Sequence, residues 1–164
     1  ALPIFSSNLD FIVPRKGKRH FVSVIDHLKT KEAKGKSKFE ESLMSYLKKI
    51  ESRSMIVVVS DFFYDLDEIE RSLGRFKNSE IRLIQVLDQV ESNLNLKGDL
   101  NLRDMETSEV VRTFVDKVTK SKYLKKKNEH NAKLKWIADS LGAKFYSFST
   151  DKPIFDSIYE VLRN

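Results

Sequence analysis

The run Ser54-Met55-Ile56-Val57-Val58-Val59-Ser60-Asp61 carries four consecutive β-branched residues with no polar residue between them. A strand with one wet face alternates polar and apolar residues, so an unbroken run predicts a central parallel strand covered on both faces. The run ends in Ser60-Asp61. In open α/β sheets ligands collect just beyond the carboxyl ends of the parallel strands, which makes Asp61, with Ser60 beside it, the first candidate site residue.

Working outward from this strand, the pattern alternates. Downstream, Asp65-Leu66-Asp67-Glu68 reads as a capping box that opens a helix with Leu66, Ile69 and Leu73 inward. Ile81 to Leu87 is a second apolar strand, ending in Asp88. Upstream, Ser37-Lys38-Phe39-Glu40 is another capping box, before a helix that buries Phe39, Leu43, Tyr46, Leu47 and Ile50. Earlier still, Leu2–Ser6 and Leu9–Val13 read as short strands. A helix with Phe21, Val22, Ile25 and Leu28 on one face follows them.

Residues 93–115 break the rhythm. Asp99–Asp104 and Glu109–Val115 alternate polar and apolar residues, which predicts an inserted antiparallel hairpin at about 93–116. A basic helix follows, from about Lys120 to Leu141, with Leu134, Ile137 and Leu141 in its apolar stripe and Gly142 as its stop. Ala143–Ser149 is the last strand and Pro153–Leu162 the last helix. The alternation predicts one α/β domain over 1–164: an open, mostly parallel, Rossmann-like sheet with helices on both faces.

Composition agrees with a folded domain. The chain has 164 residues, of which 40% are hydrophobic and 10% aromatic, enough for a core. It has no cysteine, so disulfides, thiolate metal sites and Cys nucleophiles are excluded. Its three histidines, His20, His27 and His130, do not have the spacing of a zinc-ligand pair. No run of 18 apolar residues is present, so these residues contain no predicted membrane span. The expected location is the cytoplasm, with any membrane attachment supplied by segments outside these residues.

The net charge of +6 is unevenly spread: residues 1–50 carry +6, residues 51–118 carry −5 and residues 119–164 carry +5. Of the 30 basic residues 21 are Lys, whereas base and phosphate reading favours Arg interleaved with aromatics, which argues against nucleic acid as the partner. The densest cluster is Lys120, Lys122, Lys125, Lys126 and Lys127. It reads first as a solvated helix face and second as a patch for an anionic surface or nucleic acid, carried by the Lys-rich helix 120–135.

Beyond the other strand ends stand Asp88 and Thr150-Asp151. Acids and hydroxyls gathered there suit a hard cation such as Mg²⁺, although turns and helix caps use the same residues. A phosphohydrolase built on Asp61 and Asp88 lacks a nucleophile or general-base constellation. Gly35-Lys36-Ser37 imitates the end of a P-loop, but a P-loop requires Gly at position 30, where Thr30 stands, and it follows a strand.

Five motifs occur in a fixed order: Gly35-Lys36-Ser37 leading a helix; Met55-Ile56-Val57-Val58-Val59-Ser60-Asp61-Phe62; Ile84-Gln85-Val86-Leu87-Asp88 with Glu91; Asp104-Met105-Glu106-Thr107-Ser108-Glu109; and Thr150-Asp151-Lys152-Pro153. Together they resemble the C-terminal two-thirds of the von Willebrand factor A-like domain of the DUF58 family. Its order runs G-x-[ST], hydrophobic-SD, LDPxE, D-x-ETGE and TD-x-P. Gln89 stands in place of the usual Pro and Ser108 in place of Gly.

That resemblance implies a non-enzymatic protein-interaction domain working with a MoxR-type AAA+ ATPase. It also implies a Mg²⁺-dependent adhesion site, completed by a partner's carboxylate. Ser37 would be a hydroxyl ligand and Asp61 a carboxylate acting through water, with Gly35, Ser60, Asp88 and Asp151 at the rim. The site's first loop, D-x-S-x-S, occurs nowhere in these residues, so the site is incomplete in this chain. The resemblance further implies a domain truncated at its N-terminus. The absent first strand would lie between the strand at Leu2 and the one at Val57, leaving two unpaired edges across a gap.

Overall fold

The computed structural model describes residues 2–5, 9–13, 15–31, 38–50, 53–76, 78–103 and 110–163. Its centre is a parallel sheet of β3 (Met55–Ser60), β4 (Glu80–Leu87) and β7 (Lys144–Ser149), in the order β3-β4-β7. Val58 lies opposite Leu83, and Leu83 opposite Phe145, which sets the register. The crossover from β3 to β4 is α3 (Leu66–Leu73) followed by a 3-10 turn at Gly74–Phe76. Between β4 and β7 come a short α4 (Gln89–Asn93), the antiparallel hairpin β5 (Gly98–Arg103) with β6 (Val110–Val115), and α5 (Lys117–Ser140). The last helix is α6 (Ile154–Arg163).

Because side chains alternate along a strand, the sheet has two different faces. One presents Ile56, Val58, Ile81 and Leu83 to Phe39 and Leu43 of α2 (Phe39–Leu47), Ile69 and Leu73 of α3, and Leu134 and Ala138 of α5. These residues are buried and form the core. At roughly 1.5–3 kcal/mol for each large apolar side chain buried, this face supplies most of the driving force for the fold.

The other face carries α6, where Arg82 donates to the carbonyl of Val161. Beside α6 lies an apolar groove of about 540 Å³, lined by Val57, Val59, Ile84, Val86, Phe148, Ile154 and Ile158 among others. Helices therefore lie on both faces, as expected, but unequally. Val57 and Val59, predicted to be covered, stay 44% and 58% exposed.

At the N-terminus β1 (Leu2–Phe5) and β2 (Leu9–Ile12) pair with each other as a separate antiparallel sheet. Phe11 of β2 packs against Tyr46 of α2, with the Lys49 ammonium over its ring. Helix α1 (Lys18–Thr30) is amphipathic, yet none of its residues is buried, and Phe21, Val22 and Leu28 are exposed. It is held by Asp10, which accepts from His27 Nε2 at 2.7 Å and pairs with Lys31. Among the described residues β3 pairs with β4 alone. A slot of about 500 Å³ separates its other edge from Pro3 and Ile4 of β1, with Leu43 and Tyr46 also in its wall.

The helix starts follow the sequence with two changes. Asp65 caps α3 as predicted, accepting from the amides of Asp67 and Glu68 at 3.0 and 3.1 Å. Glu68 does not close the box; its carboxylate reaches α2 and accepts from the Glu40 amide at 3.0 Å. Helix α2 begins one residue later than the capping box predicts, with Lys38 as its N-cap residue and no side-chain cap bond. Ser37 and Gly35 lie outside the described residues. At the far end of α5 Gly142 adopts a φ of +66°, a left-handed conformation that glycine takes without strain, and the Ala143 amide returns to the Ala138 carbonyl at 2.8 Å.

Candidate functional site

The carboxyl ends of the three parallel strands present Ser60–Phe63, Asp88–Asn93 and Thr150–Lys152 on one edge of the sheet. The loop after β3 is a closed set of local hydrogen bonds. Ser60 Oγ accepts from the Phe62 amide at 3.2 Å and donates to Asp61 Oδ1 at 3.4 Å. Asp61 Oδ1 also accepts from the Phe63 amide at 3.2 Å. Short side chains folding back onto nearby amides in this way stabilise tight turns. Phe62 sits at a φ of +58° with its ring fully buried, and it meets the Phe39 ring edge-on at 6.5 Å. That conformation is costly for a residue with a side chain, so packing must hold it. Asp61 itself is exposed.

The loop's carbonyls are held from behind. Gln85 is the fully buried polar residue of β4, flanked by Ile84 and Val86. Its Nε2 donates to the Asp61 carbonyl at 2.9 Å and to Asn131 Oδ1 at 3.1 Å, and its Oε1 accepts from Ser147 Oγ at 2.8 Å. His130 Nε2 donates to the Phe62 carbonyl at 2.8 Å. The sequence assigns no site role to Gln85, His130 or Asn131, although Gln85 falls within one of the family motifs. The signal available was the amide set between Ile84 and Val86, since a buried polar group requires partners.

Asp88 is committed to structure. It caps α4 in a full capping box: Oδ1 accepts from the Val90 amide at 2.8 Å, and Glu91 Oε2 accepts from the Asp88 amide at 2.8 Å. Thr150 ties the β7 end to it, donating its amide to the Leu87 carbonyl at 2.9 Å and its hydroxyl to Asp88 Oδ2 at 3.4 Å. Asp151 is exposed in the turn that follows. The β3–β4 register places Ser60 opposite Gln85, so Asp88 lies about 7 Å further along the sheet edge than Asp61. The structure thus brings Asp88 to Thr150 but does not bring Asp61 to Asp88.

Whether these residues suit Mg²⁺ follows from that geometry. The ion favours near-octahedral oxygen coordination. Among the described residues no three His, Asp or Glu side chains gather in a way that could hold a metal. Both Asp88 oxygens are engaged, and Asp61 Oδ1 is taken up by Ser60 and the Phe63 amide. The described residues do not by themselves fit the ion.

The predicted lysine patch divides into two roles. Lys127 donates to the Ser92 carbonyl and Lys120 to Asn95 Oδ1 at 3.4 Å. Lys122, Lys125 and Lys126 are exposed, with Lys125 3.9 Å from Glu129. Tyr123, between them, donates to the Glu91 carbonyl at 2.8 Å, and burial pushes its phenol pKa up. No helix among the described residues is long and apolar enough to cross a membrane.

No curated protein matches the chain. Among solved structures, the crystal structure of a conserved hypothetical protein BatB from Bacteroides thetaiotaomicron is similar to it. The identity is 10% and the TM-score 0.39, over 88% of this chain and 70% of that one. A family described as "Protein of unknown function DUF58" matches residues 1–133, most of the sequence. The chain, an α/β domain with a parallel three-stranded sheet, belongs to the DUF58 family.

Proposed function

We propose that this chain is a non-enzymatic protein-interaction domain of von Willebrand A-like type. Its docking edge consists of the loops beyond β3, β4 and β7. The observation that carries the reading is the state of the Ser60–Phe63 loop. The Phe62 and Phe63 amides are satisfied within the loop and the Asp61 and Phe62 carbonyls from behind, while the Asp61 carboxylate stands exposed. A loop held this way presents its charge with little ordering left to lose on binding, which favours association.

The polar contacts support binding more than catalysis. Ser60 Oγ meets the carboxylate of its own neighbour Asp61 at a long 3.4 Å within the turn, and His130 faces a carbonyl and not a nucleophile. Following the DUF58 resemblance, the partner class is a MoxR-type AAA+ ATPase. The Mg²⁺ adhesion site remains part of the reading only through Ser37 and residues beyond those described.

The test is a binding titration of the full chain against a MoxR-type AAA+ ATPase from the same genome. Saturable binding that weakens at least tenfold on Asp61→Ala, and is unchanged by Lys125→Glu with Lys126→Glu, supports the proposal. Absence of binding, or binding indifferent to Asp61→Ala, overturns it. A second reading uses the exposed Lys122, Lys125 and Lys126 as an anionic-surface or nucleic-acid patch. It predicts binding to DNA that falls steeply with salt and is lost in the Lys→Glu pair. Because Lys120 and Lys127 are turned to protein acceptors, this patch is smaller than the five lysines suggest.

A further inference from the structure

The face that α5 turns to the sheet changes character along its length. Leu134 and Ala138 are buried in the core. Continuing toward the N-terminus on the same face, the residues three, four, seven and eleven positions earlier are Asn131, His130, Lys127 and Tyr123. All four are half-buried, and each hydrogen-bonds outside its own helix. His130 holds the Phe62 carbonyl, and Asn131 braces Gln85, which holds the Asp61 carbonyl. Tyr123 holds the Glu91 carbonyl and Lys127 the Ser92 carbonyl.

Carbonyls on surface loops and in the last turn of a short helix, here Glu91 and Ser92 of α4, are ordinarily satisfied by water, which leaves the segment free to move. Here successive turns of one helix satisfy them with side chains. We infer that α5 is a positioning strut. Its apolar half anchors in the core, and its polar half fixes the loop after β3 through His130 and Asn131 and the segment after β4 through Tyr123 and Lys127. The spacing of the two loops is then set by the length of helix between the two pairs, about 10 Å from Tyr123 to His130 at 1.5 Å per residue. The inference rests on the proposed reading only in taking these loops as the docking edge. The positions of the loops are properties of the free protein.

Backbone ¹⁵N relaxation on the full chain tests it without any partner, so its outcome is independent of whether a partner docks. In the parent protein residues 61–63 and 91–92 should show order parameters of rigid backbone, about 0.85. In His130→Ala those of 61–63 should fall below about 0.6 while 91–92 hold, and Tyr123→Phe should do the reverse. His130→Gln, which keeps an N–H donor, should restore much of the rigidity at 61–63. No change at 61–63 in His130→Ala overturns the strut, as does a fall spread evenly over β3, β4 and β7, which would mark a general loss of stability.

Discussion

The Gln85 side-chain amide, buried in β4, donates to the main-chain carbonyl of Asp61, the first residue beyond β3, at 2.9 Å. It bridges three elements at once, because the same amide group meets Asn131 of α5 and Ser147 of β7. Gln85→Ala opens a cavity and leaves the Asp61 carbonyl and the Asn131 amide group short of a partner. The expected loss is about 2–4 kcal/mol, since an orphaned buried polar group costs about 1–3 kcal/mol and the cavity adds to it. Gln85→Glu should be worse than Gln85→Leu, because a carboxylate there faces two acceptor oxygens. Urea unfolding midpoints for the three variants check the order.

Phe62 combines full burial with a left-handed backbone, and the two make opposite demands on a replacement. Phe62→Ala removes the ring and keeps the strain, for an expected loss of about 3–5 kcal/mol. Phe62→Gly removes the ring and the strain together. Glycine usually destabilises relative to alanine, but here it should be the more stable of the two by about 1 kcal/mol, the approximate cost of the left-handed conformation for a residue with a Cβ. Thermal or urea denaturation decides it; finding Phe62→Ala the more stable means the turn is not strained.

Much of this architecture was legible in the residues and some was not, for identifiable reasons. The parallel sheet, its crossover helix, the inserted hairpin and the stop at Gly142 follow from patterns that depend on near neighbours, such as unbroken β-branched runs, caps and alternation. The same patterns describe only a residue's own element. Glu68 has the spacing to close a cap on α3 and instead caps the amide of Glu40, because α2 packs alongside. Phe21, Val22 and Leu28 have helical spacing, yet pattern alone does not supply a surface to cover them. At the site, Asp61 and Asp88 were found from strand ends, whereas His130 and Asn131 reach it from far along the chain on a helix that reads as merely basic.

Asp10 is the tether between the N-terminal hairpin and α1. The Lys31 ammonium and then the His27 imidazole, both hydrogen-bonded to it, hold its carboxyl below the usual carboxylate range. A carboxylate with a lowered pKa in the folded state contributes stability above its unfolded pKa and loses it as pH falls through the lowered value. Detachment of α1 through loss of the Asp10 charge should therefore set in below about pH 4. Asp10→Asn should abolish that acid transition in the His27 and Lys31 resonances. The three groups are partly exposed, so raising salt to about 1 M should weaken the tether already at neutral pH.

The free edge of β3 supplies the last test. Met55, Val57 and Val59 are exposed, and among the described residues no strand pairs with the edge of β3 away from β4. Unpaired backbone groups beside apolar side chains form a template for another strand, which soluble proteins ordinarily blunt with charge. At high concentration the chain should self-associate through this edge, visible as a rise in weight-average mass by light scattering. Val59→Lys places a charge on the exposed face next to the edge, where little packing is lost. It should suppress the association while shifting the unfolding midpoint by no more than about 0.5 kcal/mol. A change at Val58, one residue away and facing the core, should instead unfold the domain: Val58→Lys buries an unpaired ammonium against Leu83 and the helices behind it. If Val59→Lys proved as damaging as Val58→Lys, the second face of β3 would have to be covered, and the groove beside α6 could not be the open surface described above.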